Sequence, residues 1–245
     1  LYAKWAPLYT LTINNSIEGG SVAVVGNITS AIEGTEITLT STPSAGHTLG
    51  AWDVYKSDDT STKVTVTDNK FTMPAYNVII SATFEEVQTY TLLTDISQLV
   101  PGKHYIIANG TNGSVKAMGS QSTNNRTAVD VIATSGIIPE TTGVYEFVIY
   151  GPDANGYYTI YDETNSKYLY AASSGSNYLK TQETNNANGK WTVEISNTGI
   201  ATVKAHGSYT RNWMRNNSNI FSCYGSGQSD IYLYIKDGDT PVTTT

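Results

Sequence analysis

The sequence predicts an all-β protein in two parts, a small β-rich module followed by a larger β domain. Short runs alternate apolar and polar residues and are rich in β-branched and aromatic types: "YTLTI", "SVAVV", "TEITLT", "NVIISATF", "HYIIA", "YYTIY", "KWTVEI", "IYLYIK". A period of two places alternate side chains on opposite faces of a strand. Between these runs stand Gly/Asn/Asp/Ser clusters such as "NGT", "NGS", "ANGY" and "ANGK", which supply the positive backbone angles of tight hairpins. The last ~150 residues also recur upon themselves, which is the mark of a repeat architecture.

In the first part, Pro43 and Gly46 turn the chain between two strands. Trp52, following Leu49, is expected to plug the core. Met73–Pro74 ends a short strand, and Val78, Ile80, Ala82 and Phe84 form the next. His47 stands alone, and Asp58 and Asp59 fall in the polar loop "KSDDTSTK", where a solvated loop is expected rather than a metal site. The runs "GTEITLTSTPSAGHTLGAWDV" (34–54) and "FTMPAYNVIISATF" (71–84) resemble the divergent internalin-type B repeat, also called the Listeria–Bacteroides repeat. His47 stands where that repeat usually has an aromatic. "LYAKW" (1–5) resembles the end of a preceding copy. The resemblance implies a small β-rich spacer module of extracellular or surface proteins, and the abrupt start is read as a cut from a longer chain. The expected segments are 1–7 (tail of a preceding repeat), 8–86 (the repeat), 87–237 (a larger β domain) and 238–245 (a polar tail), with the boundary at "FEEVQTY".

In the second part three segments align. "HYIIANGTNGSVKAMGSQSTNNRTAVDV" leads to "VYEFVI". "YYTIYDETNSKYLYAASSGSNYLKTQET" leads to "KWTVEI". "IATVKAHGSYTRNWMRNNSNIFSCYG" leads to "IYLYIK". Each holds four strands, with Met118, Leu169 and Met214 at matching places. These three, with Leu179 and a further layer of Phe147, Val193 and Leu233, are expected in a shared core. No single unit can bury its own apolar face, and closing three into a barrel removes the exposed edges. A β-trefoil follows, with a β-sandwich as the alternative. The middle unit, with its "KYL" and Ala, resembles a trefoil repeat of the fascin-like or ricin-lectin-like kind. It departs from the ricin type in closing on "NGKW", once, instead of Gln-any-Trp.

Composition narrows the chemistry. With 14 basic and 21 acidic residues the net charge is −7, against the basic face that nucleic-acid binding needs. One cysteine, Cys223, excludes an internal disulfide and a cysteine-rich zinc site, and is expected in a core. No run approaches a membrane span. Candidate acids Asp153, Asp162 and Glu163 lie in turn sequences, where such side chains stabilise turns. The turns "DANG" and "DETNS" lack the distal Glu of an EF-hand. His104 and His206 have no "GxSxG" partner. No catalytic residue, metal ligand or cofactor is assigned.

The binding candidate is "GSYTRNWMRNNSN" (207–219), with Tyr209, Arg211, Trp213 and Arg215. Strand alternation places Arg211, Trp213 and Arg215 on one face and Met214 on the other, so Trp213 is expected outside between two arginines. Such a face suits a sugar ring or an anionic group, and equally a Trp stacked on a neighbouring hairpin. Tyr170 and Tyr178 are lesser candidates. Eighteen tyrosines against four phenylalanines fit half-buried sheet faces that can also contact sugar or protein.

The expected function is a non-catalytic module pair of a bacterial secreted or cell-surface protein, whose C-terminal domain binds a glycan or surface polymer. The alternatives are a structural or adhesive segment contacting a host or cell-surface protein, and an accessory region of a secreted hydrolase or nuclease.

Overall fold

The computed structural model describes residues 5–44 and 46–241. Most of the segment read as the tail of a preceding repeat, and half of the polar C-terminal tail, lie outside the described residues. The chain divides into two compact units, 1–87 and 88–245. Strands dominate both. Among the described residues the only helical elements are three 3₁₀ turns of three residues each, and no helix is long and apolar enough to cross a membrane.

In the first unit, Leu8–Ile13 pairs antiparallel with Ser30–Ile32 and parallel with Val78–Glu86; the latter pairs antiparallel with His47–Lys56, which pairs with Asp59–Val64. A second sheet joins Gly20–Val24, Glu36–Pro43 and Lys70–Thr72. Ile37, Leu39, Phe71, Met73, Val78 and Ile80 form the core with Val54 and Leu11. Trp52 does not plug that core. It is half-buried at its edge, with Nε1 donating to Asn69 Oδ1 at 2.8 Å. The strand carries an irregularity at Gly50: Leu49 pairs with Phe84, Ala51 with Thr83, and Trp52 with Ala82. The extra residue is a bulge that returns Leu49, Trp52 and Val54 to one face, and the innermost place on it goes to Val54. In the polar loop Asp59 accepts from Ser61 Oγ at 2.6 Å, from Thr62 Oγ1 at 2.7 Å and from the Ser61 amide. These bonds hold its carboxyl down at about 2, as a turn-forming aspartate requires.

The second unit is organised around a ring. His104–Ala108 pairs with Phe147–Tyr150, which pairs with Tyr158–Asp162, and that strand pairs with Lys190–Ile195. Lys190–Ile195 continues to Ile200–Ala205, that to Ile231–Lys236, and the last pairs back with His104–Ala108. All six contacts are antiparallel, so the ring closes and its members have no free edge. Three hairpins branch from it: Gly113–Gln121 with Arg126–Ala133, Lys167–Ala171 with Leu179–Gln182, and Trp213–Asn217 with Ile220–Tyr224. Each of the three aligned segments thus contributes two ring strands and one hairpin.

Met118, Leu169, Leu179 and Met214 are wholly buried in one core with Phe147, Ile149, Ile160, Trp191, Phe221 and Leu233. Val193 belongs to the same core. Burial of side chains this size stabilises by roughly 1.5–3 kcal/mol each. Cys223 is among them, and burial pushes its thiol pKa up.

Two strands add an outer layer that the alternating pattern did not reveal. Thr89–Leu92 pairs with the end of Ile231–Lys236, and Ile137–Pro139 pairs with Thr89–Leu92. A second cluster forms outside the ring from Tyr90, Ile106, Ala108, Ala117, Val131, Ile138 and Tyr234. This explains the unbroken apolar run "YIIA": Tyr105 and Ile107 face the ring core while Ile106 and Ala108 face the outer cluster, as a strand buried on both sides requires.

Candidate functional site

The stretch 207–219 does not present its residues as one face. The strand begins only at Trp213, so Arg211 lies ahead of it, and Arg211 Nη1 donates to Asn177 Oδ1 at 2.5 Å. The cations over the half-buried Trp213 ring are Lys204, with Nζ 4.6 Å from the centroid, and Arg215, with Cζ at 4.0 Å. Arg215 is itself buried. It donates to the Gly227 and Gln228 carbonyls at 3.2 and 3.1 Å and pairs with Asp230. Its donors fasten the 225–229 loop, so the expectation of two arginines offering free donors beside Trp213 is corrected.

Tyr209 is partly exposed in the loop before that strand. This loop meets the 173–178 loop of the middle unit: Thr210 and Ser174 bond through their hydroxyls at 3.2 Å, next to the Arg211–Asn177 bond. Tyr178, half-buried, has Lys180 Nζ 5.1 Å from its centroid. The structure therefore groups Tyr209, Arg211 and the Tyr178 loop, and sets the Trp213–Arg215 stack in a role of its own. Tyr170, half-buried, lies opposite Lys180.

A second aromatic group was not singled out in the sequence. Tyr150, Tyr161 and Tyr168 come from three neighbouring strands. The Tyr150 and Tyr161 rings lie 6.4 Å apart and tilted by 52°; Tyr161 and Tyr168 lie 5.0 Å apart and tilted by 56°. Ile149, Ile160 and Leu169, their chain neighbours, all point into the ring core, so by alternation the tyrosines stand on the outer face. Each is half-buried, and none of the three hydroxyls has a hydrogen-bond partner among the described residues. Burial, then Glu163, raises the Tyr150 pKa.

A cleft of about 450 Å³ opens where the outer strands meet the irregular segment 140–146. At its floor Glu146 Oε1 accepts from Tyr90 Oη and from Lys236 Nζ, the latter at 2.8 Å. Tyr145, Thr142 and Thr164 line the walls. Arg126 lies under Tyr145, its Cζ 4.6 Å from the ring centroid. Burial and the Glu146 bond push the Tyr90 phenol far above its ordinary pKa.

The acids and histidines weighed in the sequence as catalytic candidates are committed to structure. Asp153 accepts from Lys190 Nζ at 2.8 Å and from the Asn155 and Tyr157 amides, which hold its pKa at about 2. Asp162 is wholly buried against Arg126. His206 stacks on Tyr157, with centroids 4.1 Å apart. His104 is clamped between two carboxylates, Nδ1 3.0 Å from Asp239 Oδ2 and Nε2 2.9 Å from Glu163 Oε2. Burial lowers its pKa, and the two carboxylate bonds outweigh burial and raise it. No group of three His, Cys, Asp or Glu side chains among the described residues is arranged to hold a metal ion.

No curated protein matches the chain. Among solved structures it is similar to the lysenin pore, with 15% identity and a TM-score of 0.38 over 87% of this chain and 62% of that one. It is also similar to a GH43 β-1,3-galactosidase, with 10% identity and a TM-score of 0.42 over 92% of this chain and 45% of that one. The chain thus spans less than two thirds of either, and likenesses this distant carry no argument about function. Residues 9–88 match the family model of the divergent InlB B-repeat domain, and the N-terminal unit carries that repeat.

Proposed function

We propose that the chain is a non-catalytic module pair of a bacterial secreted or cell-surface protein, in which the B-repeat precedes a β-trefoil that binds glycan. The trefoil reading is supported by the closed antiparallel ring of six strands and by the hairpin from each of three successive segments. The surface or secreted setting is supported by the repeat matched over residues 9–88.

The observation that carries glycan binding is the outward row of Tyr150, Tyr161 and Tyr168. A sugar ring has apolar C–H faces and a polar rim. Tyrosines meet both demands, with a ring to stack on and a hydroxyl to bond. Tyr150 and Tyr161 stand on ring strands and Tyr168 on the adjoining hairpin strand, none on a loop, so little side-chain freedom remains to be lost on binding. Their spacing suits successive residues of an extended chain better than a single sugar.

A glycan array probed with the full chain tests this. Binding to one or a few related polysaccharide classes is expected. Absence of binding to any glycan, with capture of a defined surface protein instead, overturns it in favour of an adhesive segment.

A further inference from the structure

We infer that the cleft floored by Glu146, Tyr90 and Lys236 is a second sugar subsite, one that grips the vicinal hydroxyls of a single sugar residue. This rests on the reading of the C-terminal unit as a glycan binder, and names a separate place and a specific chemistry for it.

The floor is built but only half used. Tyr90 and Lys236 both end on Oε1 of Glu146, and Oε2 has no partner among the described residues. The Lys236 ammonium has three hydrogens, and Glu146 takes one. Glu146 and Lys236 side chains are 29% and 27% exposed, so both are anchored and still reached from the cleft. A carboxylate oxygen and ammonium hydrogens side by side form an acceptor–donor pair. Two adjacent hydroxyls of a sugar match it: one donates to the carboxylate while the other accepts from the ammonium. Hydrogen bonds to charged groups are stronger than those between neutral partners, which suits this pair to holding a small polar ligand.

The rest of the lining fits a sugar rather than an anion. The floor pair is neutral as a unit and the one further charge in the lining is the Glu140 carboxylate, which disfavours a free anion. Thr142 and Thr164 bring hydroxyls with no partner among the described residues. Tyr145, Val144 and Ile106 supply apolar wall, and Arg126 beneath Tyr145 fixes that ring. The volume of about 450 Å³ lies in the range of small-molecule sites.

The test is amide-resolved NMR of the labelled full chain, titrated separately with methyl glycosides of mannose, galactose and glucose. A fully O-methylated mannoside, which keeps the ring and loses the hydroxyl hydrogens, is the control. At least one free glycoside is expected to shift the amides of Thr142, Gly143 and Tyr145, and the O-methylated control is expected not to. Glu146→Gln keeps the shape and removes the charge, and should weaken the response about tenfold. Lys236→Met is the second variant, with the same expectation should Glu146→Gln disturb the fold. Shifts confined to the amides around Tyr150, Tyr161 and Tyr168 overturn the subsite and leave glycan binding standing. Equal shifts with the O-methylated control overturn the hydroxyl chemistry. No shift with any glycoside, in a chain that binds a polysaccharide on the array, also overturns the subsite; no binding in either experiment removes the reading on which it rests.

Discussion

Arg126 and Asp162 form an ion pair with both side chains fully excluded from solvent, Nη1 donating to Oδ2 at 2.6 Å. The pair ties the hairpin of the first segment to the ring strand of the second. Asp162 also accepts from the Asn165 amide and side chain, and Arg126 Nε donates to the Gly119 carbonyl. Removing one member leaves a buried charge without its partner, which costs about 3–5 kcal/mol. Asp162→Ala and Arg126→Met should each lower the urea stability of the second unit by that amount. The paired change Arg126→Met with Asp162→Leu should recover a large part of the loss. Additive losses in the double variant would show that the two side chains act independently.

His104 links stability to pH. Its pKa is raised in the fold by Glu163 and Asp239, against burial, from an ordinary 6.5. A raised value means that the folded state holds its proton more tightly than the unfolded one. The stabilisation is therefore complete below about 6.5 and is lost as pH rises through the higher folded value. Asp239 has the opposite sign: its pKa is lowered from 3.8, so its share is present above that value and fades as pH falls further. Glu163 is 44% exposed and screened, which leaves Asp239 as the main partner. Stability to denaturant should fall as pH rises from 6.5 through the higher folded value and the proton is lost, and His104→Gln should flatten that change. An unchanged slope in the variant would remove His104 as its source.

Trp213 is a structural stack by its geometry. Lys204 and Arg215 both lie over its ring, and each such contact is worth about 0.5–1 kcal/mol near the surface. Trp213→Ala should destabilise the second unit by about 2 kcal/mol, and Trp213→Phe by less. A variant as stable as the parent would leave ligand contact as the remaining role for this side chain.

Cys223 is wholly buried with its thiol pKa pushed up by burial. A thiol reagent should label the native chain only at the rate of unfolding and should label it at once in strong denaturant. Rapid native labelling would contradict its place in the ring core.

Much of this architecture is legible in the sequence because repetition states it three times. Met118, Leu169 and Met214 stand at matching places in three segments, and matching places in a closed ring share a core. The outer layer had no such signal. "TYTLL" and "GIIP" are short and unrepeated, and only pairing makes them strands, the first with Ile231–Lys236 and the second with the first. Trp52 was misplaced because Val54, two residues on along the same face, takes the innermost place and leaves Trp52 at the core's edge. The tyrosine row was hidden for a different reason: Tyr150, Tyr161 and Tyr168 lie on three strands, and only the pairing of those strands brings their rings together. At 211–215 the alternation was extended two residues too far, which put Arg211 on a face it does not share.

Affinity electrophoresis in gels that contain the polysaccharide bound on the array tests the outer tyrosine row most directly. The parent chain should be retarded. Tyr161→Ala and Tyr168→Ala should each weaken retardation about five- to tenfold, the loss of a stacking contact worth about 1–1.5 kcal/mol, while Trp213→Ala, checked to be folded, should migrate as the parent does. Full retardation of both tyrosine variants, with loss of retardation in Trp213→Ala, would contradict the account and return the binding surface to the third segment.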